Sequence, residues 1–146
     1  MGRKHLVSGF IGFLFGAAVA VLYILWLRPR YTTWPVIVGD ASAPDDPSRV
    51  APPDLTIHWA DRVKWQAFQA GRPLLIEFTQ PIFQNMKKQA NGRYQVLCLG
   101  DECNSDAVSS AATPGVWYKY WQGLGDPQSP TSPVKWADGR IIIVRP

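Results

Sequence analysis

The chain has 146 residues, of which 47% are hydrophobic, 18% charged and 12% aromatic. This length allows one small domain with an appendage, and the apolar content excludes a wholly disordered chain. The formal net charge of +4 arises in the first thirty residues, because Tyr31–Pro146 holds eleven basic and eleven acidic residues. The four unbalanced charges are Arg3, Lys4, Arg28 and Arg30. A neutral body cannot neutralise several phosphates, so we expect no nucleic-acid partner.

The first element is an apolar run, Leu6–Leu27, without a charged side chain. As a helix it would be about 33 Å long, close to the thickness of a bilayer core. We predict a transmembrane helix over residues 6–27, after a short flank of residues 1–5, acting as an uncleaved signal anchor. A signal peptide cleaved near Ala20 is the alternative, although the apolar run continues past that site.

The flanks and the cysteines together give a predicted location. Basic residues flank the apolar run on both sides, where they would contact lipid headgroups. The cysteine pair in the C-terminal part favours an oxidising compartment, and the chain has no Asn-x-Ser/Thr sequon. We therefore predict a single-pass protein of the bacterial inner membrane with a periplasmic C-terminal domain.

Small residues recur along one face of the predicted membrane helix at Gly12, Gly16 and Ala20. Such spacing lets a second helix approach closely. We predict that these residues pack against another membrane protein, so that the partners include membrane lipid and other envelope proteins. The alternative is that glycine and alanine are simply common in membrane helices.

The next segment is rich in proline, with five prolines in Tyr31–Asp54. Because such a sequence buries little apolar area, we predict a linker over residues 28–54. Its apolar run Trp34–Val38 is an exception. We interpret it either as an added strand or docking segment, or as a contact with the membrane interface.

The remaining residues, 55–146, are predicted to form an extracytoplasmic α/β domain. Apolar spacings of four and three predict a helix over Thr56–Ala70. Leu74–Phe78 is a nearly continuous apolar run typical of a buried strand. A second helix is predicted from Pro81 to about Ala90, followed by a buried strand at Tyr94–Leu99. This order predicts a right-handed βαβ unit.

Three weaker elements follow. A third helix is predicted from Asn104 or Ser105 to Ala112. Trp117–Trp121 alternates aromatic and polar residues, as a strand or an aromatic loop would. Asp138–Gly139 separates two β-rich runs, which predicts a C-terminal hairpin with a two-residue turn.

The run Gly71–Thr79 and the later run Ser132–Ile141 give the chain a family resemblance. Residues 57–145 resemble a thioredoxin-like domain in the order of their elements. The resemblance implies a Cys-x-x-Cys motif at a helix N-terminus, but those positions hold Phe83 and Met86. The family's final helix is also absent. The sequence thus predicts either a shortened thioredoxin-like relative without its redox motif, or an α/β domain whose pattern only coincides with the family's.

The two cysteines, Cys98 and Cys103, are separated by a short turn-like insert. A structural disulfide between them is geometrically plausible. Free thiols and a redox-active pair are the alternatives. The acids Asp101 and Glu102 lie between the two cysteines and would raise their thiol pKa values, which disfavours the redox-active pair.

No catalytic, cofactor-binding or metal-binding residues are predicted. His58, Asp61 and Ser105 lack the context of a catalytic triad, and no glycine-rich phosphate loop follows a strand. Glu77 is the acid within the first apolar strand, and we expect it either to lie at a strand end or to pair with a base. The candidate bases are Lys87 and Arg72.

An aromatic cluster near the C-terminus is the most informative surface candidate. It comprises Trp117, Tyr118, Tyr120, Trp121 and Trp136. Aromatic residues dominate both protein cores and binding hot spots. These five residues therefore form part of the core, a protein-contact surface or a platform for carbohydrate stacking.

We predict a non-enzymatic, membrane-anchored subunit that acts by protein–protein contacts in the structure or assembly of a larger envelope complex. Two alternatives come from other functional classes. One is a membrane-tethered thiol–disulfide oxidoreductase that uses Cys98 and Cys103. The other is a glycan-binding module.

Overall fold

The computed structural model describes Val19, residues 31–128 and residues 134–144. These residues form eleven β-strands, and Val19 is the single helical residue among them. The strands are β1 (Thr33–Val38), β2 (Val50–Ala51), β3 (Asp54–His58), β4 (Arg62–Ala67), β5 (Leu74–Phe78), β6 (Lys87–Lys88), β7 (Tyr94–Gln95), β8 (Leu97–Leu99), β9 (Glu102–Asn104), β10 (Trp117–Leu124) and β11 (Lys135–Val144).

The predicted α/β class is therefore wrong for the described residues, which form an all-β domain. The segment Thr56–Ala70, predicted as a helix, forms most of β3 and all of β4. Its apolar residues Val63 and Ala67 are four positions apart, and because four is an even number this spacing also fits one face of a strand. Trp65 lies between them and is equally buried, so the true period is two.

The second and third predicted helices are absent as well, because the two segments pair with each other. The Gln84 amide donates a hydrogen bond to the carbonyl of Ala107, and the Ser109 amide donates one to the carbonyl of Ile82. Backbone groups that a helix would satisfy internally are thus satisfied between two extended segments. The predicted βαβ unit is wrong for this reason.

The predicted C-terminal hairpin is also wrong. β11 continues through Asp138 and Gly139 without a turn. It pairs antiparallel with β10 along the whole of Trp117–Leu124. Trp117–Trp121, predicted as a strand or a loop, is the first part of β10.

The strands form two sheets. The five-stranded sheet has the order β2-β1-β4-β9-β8, and the six-stranded sheet has the order β3-β11-β10-β5-β7-β6. Neighbouring strands are antiparallel except in the pairs β1–β4 and β3–β11, which are parallel. The two long strands β10 and β11 therefore lie inside the six-stranded sheet, where they are paired on both sides.

The core lies between the two sheets. The ring of Trp65, on β4 of the five-stranded sheet, meets Phe78 and Tyr120 of the six-stranded sheet at centroid distances of 6.3 and 5.7 Å. Phe83 closes this cluster at 6.1 Å from Trp65. The Trp65 contacts are edge-to-face, the arrangement that aromatic quadrupoles favour. All four rings are buried.

The prediction of a linker over residues 28–54 is wrong for its described part. Trp34–Val38 belongs to β1, which pairs with both β2 and β4 and thus lies inside the five-stranded sheet. The loop that follows is held by the Asp40 carboxylate, which accepts hydrogen bonds from the amides of Ser42 and Ala43. Of the two interpretations of the apolar run, the added strand is the one observed.

The membrane predictions require a correction. Among the described residues, no helix has the length and apolar character needed to cross a bilayer. We therefore do not retain the predicted signal anchor, single-pass topology or inner-membrane location. The predicted helix over residues 6–27, with its packing residues Gly12, Gly16 and Ala20, lies outside the described residues apart from Val19.

Candidate functional site

Three tryptophans occupy the outer face of the six-stranded sheet. Along β10, Tyr118 and Tyr120 are buried, whereas Trp117 is 49% exposed and Trp121 is half-buried. Trp136, on β11, is 41% exposed. Side chains alternate between the two faces of a strand, and the register places these three indoles on the side away from the core. We call Trp117, Trp121 and Trp136, with the charged side chains between them, the tryptophan face.

The indole of Trp136 is seated on a glycine. Gly123 is its directly opposite partner on β10, and a Cβ on Gly123 would lie 2.9 Å from Trp136 Cζ3. The absence of a side chain at Gly123 therefore gives the indole a place on the sheet. One edge of Trp136 is fixed by the sheet, while two-fifths of its surface stays exposed.

Two cations lie over the ring of Trp121. The guanidinium of Arg93 lies 4.1 Å from the centroid of its ring, and the ammonium of Lys119 lies at 5.5 Å. Arg93 is in turn paired with Glu77 at 3.2 Å, and Lys119 with Asp138 at 2.7 Å. Cation–π contacts of this kind fix the orientation of both side chains.

Trp117 has a similar environment. The guanidinium of Arg140 lies 5.5 Å from its ring centroid. Arg140 also makes a bidentate contact with Asp54, with both nitrogen–oxygen distances at 2.9 Å. Exposed ion pairs contribute little to stability, but the fork geometry holds the guanidinium in one orientation beside the indole.

A groove adjoins the tryptophan face where the chain leaves β5, between β7 and β8. The Val96 amide donates to the carbonyl of Ile76, and the Leu74 amide donates to the carbonyl of Gly100. Between these two hydrogen bonds, β5 advances by two residues, whereas the segment opposite it advances by four, from Val96 to Gly100. The two extra residues make the chain bow away from β5, as in a β-bulge. The opening, of about 460 Å³, has Pro73 and Leu75 on one wall.

The groove continues an apolar row that begins at Trp136. Gly123 pairs with Leu75 on β5. Leu75 and Leu97 both line the groove, and Leu97, on β8, is 59% exposed. Lys87 lies at the rim of the groove. The row Trp136–Gly123–Leu75 therefore crosses the neighbouring strands β11, β10 and β5, and Leu97 extends it at the groove.

Tyr118 and Tyr120 differ from the other predicted contact residues, because both belong to the core. Their exposed fractions are 6% and 1%. The Tyr118 hydroxyl accepts a hydrogen bond from the Thr113 amide at 2.6 Å. Burial raises the pKa of Tyr120 to about 12. Neither residue is available to a partner.

A disulfide joins Cys98 to Cys103. The two residues are directly opposite in the β8–β9 hairpin, which has the two-residue loop Gly100–Asp101. Cys103 is fully buried, whereas Cys98 is half-buried and borders the groove. The bond holds the short outer strand β8 against β9. The redox-active pair, which the sequence gives as an alternative to a structural disulfide, stays untested.

The other titratable residues of interest are in structural contacts. Glu77 pairs with Arg93 rather than with the predicted Lys87 or Arg72. Within the described part of the chain, no group of three or more His, Cys, Asp or Glu residues could hold a metal ion. The Ser105 hydroxyl accepts a hydrogen bond from the Val63 amide at 2.7 Å and is buried.

Asp61 is a buried carboxylate that joins three segments of chain. Its oxygens accept hydrogen bonds from the Thr32 amide, the Trp34 indole and the His58 amide, at 2.9, 2.9 and 3.0 Å. Burial acts to raise the pKa of Asp61. The hydrogen bonds act in the opposite direction and outweigh burial, so that the pKa lies below its ordinary value of 3.8. The arrangement stabilises a turn and contains no nucleophile.

The predicted elements did not include the groove. Tyr94–Leu99 is predicted there as one buried strand, yet Leu97 and Leu99 are exposed at 59% and 73%. The sequence held a signal, since residues 96–99 are all apolar and one alternate set must face outward when only the other set meets the core. Arg93, which stacks on Trp121, carries no local signal because the two residues are distant in sequence.

Comparisons with known proteins do not assign the chain to a family. The chain matches no protein-family model, and no curated protein shows significant similarity to it.

Proposed function

We propose that this chain is a non-catalytic protein-binding module whose contact surface is the tryptophan face. The observation that carries the proposal is the outward placement of Trp117, Trp121 and Trp136 on a sheet whose inner face already has an aromatic core. These indoles are not needed to fill the interior. Tryptophan is also among the residue types most enriched in binding hot spots.

The preorganisation of the face supports the proposal. Binding costs free energy when flexible side chains must become ordered. Here Trp121 contacts both Arg93 and Lys119, and Trp136 is seated on Gly123. A partner would therefore meet indoles that are already oriented, so that more of the burial of each indole would appear as affinity.

The charge pattern favours a protein over a nucleic acid. Basic and acidic side chains alternate across the face, and three of its basic residues are paired with acids. The pairs are Arg93–Glu77, Lys119–Asp138 and Arg140–Asp54. A surface of this kind lacks the row of unpaired cations that phosphate binding requires. Aromatic residues and arginine among mixed charges are typical of protein interfaces.

The test is photo-crosslinking of the full chain in the cells that produce it. A photoreactive amino acid such as p-benzoylphenylalanine replaces Lys119, which lies between Trp117 and Trp121. The matched control position is Asn104, which is exposed on the five-stranded sheet. We expect a discrete protein adduct from position 119 and none from position 104. The adduct should disappear when Trp117→Ala and Trp136→Ala are combined.

Three outcomes would contradict the proposal. The first is that no adduct forms from position 119. The second is that the same adducts form from both positions. The third is an adduct that resists protease and is removed by glycosidase, which would assign the face to a glycan instead.

A further inference from the structure

The groove and the apolar row define a second part of the contact surface, with a chemistry of its own. Leu75 and Leu97 both line the groove, and Trp136 ends the row beyond Gly123. No side chain in the row carries a charge. From Trp136 to Leu75 the row spans two strand spacings, or about 10 Å, and Leu97 extends it at the groove. It is long enough to receive several apolar side chains of one partner segment.

The charged residue that lines the groove is a lysine, Lys87. Lys87 lies at the rim and is exposed. None of the ion pairs among the described residues includes Lys87. This distinguishes it from Arg93 and Lys119, which already have carboxylate partners. A carboxylate brought in by a partner would therefore find a cation without a competing acid.

We infer that the groove binds an amphipathic helix of the partner protein, with apolar side chains on the row Trp136–Leu75–Leu97 and a carboxylate at Lys87. This inference rests on the proposed protein-binding function and names the chemistry of the partner. The backbone groups of the inner strands are used in the sheet ladder. A segment lying on the sheet face must therefore satisfy its own backbone hydrogen bonds, as a helix does. A helix of about ten residues is about 15 Å long, which is enough to follow the row and reach the groove.

Charge complementarity argues against a second copy of this chain as the occupant. In a two-fold dimer the same patch faces itself. The row would then meet a second uncharged row, and each groove would bring Lys87 rather than an acid. The partner that fits is one whose apolar stripe is flanked by Asp or Glu.

The test uses two designed helical peptides of about 15 residues, with the same leucine stripe and a fluorescent label. One carries glutamates beside the stripe and the other carries lysines. Binding to the purified full chain is followed by fluorescence anisotropy. We expect the glutamate peptide to bind at least about tenfold more tightly than the lysine peptide. Lys87→Glu should reverse this preference.

The matched control is a pair of leucine substitutions on β8. Leu97→Asp places a charge in the groove and should weaken binding of the glutamate peptide at least about tenfold. Leu99→Asp makes the same change two residues away, at a position 73% exposed and outside the groove, and should leave binding unchanged. Equal effects of the two substitutions, equal binding of both peptides, or no binding at about 1 mM would overturn the inference.

The experiments distinguish failure of the helix inference from failure of the proposed function. If position 119 forms its protein adduct while neither peptide binds, the helix inference is wrong and the tryptophan face stands. If the glutamate peptide binds in the expected pattern but no adduct forms, the groove can bind such a helix, but the proposed function fails and the inference about a cellular partner fails with it.

Discussion

The ring of Tyr120 lies directly against Gly139, its partner across the β10–β11 ladder. A Cβ on Gly139 would lie only 2.6 Å from Tyr120 Cε1. On the opposite face of the same two strands, Trp136 lies against Gly123 in the same way. Each glycine in this pair of strands thus leaves space for an aromatic ring, one turned to the core and one turned to solvent.

This relationship predicts an unusual effect of adding a methyl group. Gly→Ala within a strand is ordinarily stabilising or neutral. Gly139→Ala should instead lower the free energy of unfolding by about 1–3 kcal/mol, because the new Cβ overlaps the tyrosine ring. Urea denaturation of the full chain measures the difference.

The same substitution in a chain that carries Tyr120→Leu distinguishes the steric clash with the ring from a general effect on the backbone. In a Tyr120→Leu chain the smaller side chain should accommodate the methyl group, so that Gly139→Ala costs less than it does in the parent chain. This is a double-mutant cycle, and the two residues should show a coupling energy of at least about 0.5 kcal/mol. Additive effects would show that the tyrosine is not the obstacle.

Substitutions of buried and of exposed aromatic residues should differ in their effect on the free energy of unfolding. Phe78→Ala removes a buried ring and should cost about 3–5 kcal/mol. Trp117→Ala removes an indole that is 49% exposed and should cost less than about 1 kcal/mol. Thermal unfolding of both variants checks this. A loss at Trp117 as large as that at Phe78 would mean that the tryptophan serves the fold rather than a partner.

The fold could be predicted only in part from sequence, for reasons that particular residues show. Leu74–Phe78 is a strand as predicted, and four of its five residues are buried, all but Leu75. Asp138–Gly139 has the residues of a tight turn, but in the fold Gly139 serves the packing of Tyr120. That constraint arises from a residue on another strand, which no local pattern contains.

Asp61 predicts how stability depends on pH. Its pKa in the folded protein is lowered, so the stabilisation is present above the ordinary aspartate pKa near 4 and is lost as pH falls through the folded value. Asp61→Asn should destabilise the protein by at least about 1 kcal/mol at pH 7, because it removes a charged acceptor of three hydrogen bonds.

The difference between the parent chain and Asp61→Asn should therefore narrow as the pH is lowered from about 6 to 3. Urea denaturation at several pH values measures this difference. Asp40 and Asp46 also have lowered pKa values, owing chiefly to hydrogen bonds from Ser42 and Ser48, and both are present in the two chains. A gap that stays constant with pH would show that the Asp61 charge contributes nothing.

The disulfide should stabilise the domain modestly. Cys98 and Cys103 close a short loop, so the constraint on the unfolded chain corresponds to about 2 kcal/mol. Replacing both residues by alanine should lower the free energy of unfolding by about this amount. Addition of a reductant should then change the parent chain and leave the variant unaffected. Identical stability of the two chains would show that β8 holds its place without the bond.

The candidate site illustrates what sequence can and cannot indicate. In a strand, Trp117, Lys119 and Trp121 share one face, and Tyr118 and Tyr120 share the other. The sequence does not predict which of the two faces is turned outward. Tyr118 and Tyr120 therefore enter the same candidate list, although they are buried. The groove depends on two extra residues opposite β5, a feature of register that becomes visible only once the strands are paired.

The most direct test of the account is hydroxyl-radical footprinting of the chain in extracts of its own cells and after purification. Trp117 and Phe68 are matched probes, because each is 49% exposed and only Trp117 belongs to the tryptophan face. We predict that oxidation of Trp117 and Trp136 is several-fold lower in the extract than in the purified chain, while that of Phe68 is unchanged. Equal oxidation of the two tryptophans in both samples would contradict the claim that this face binds a protein partner.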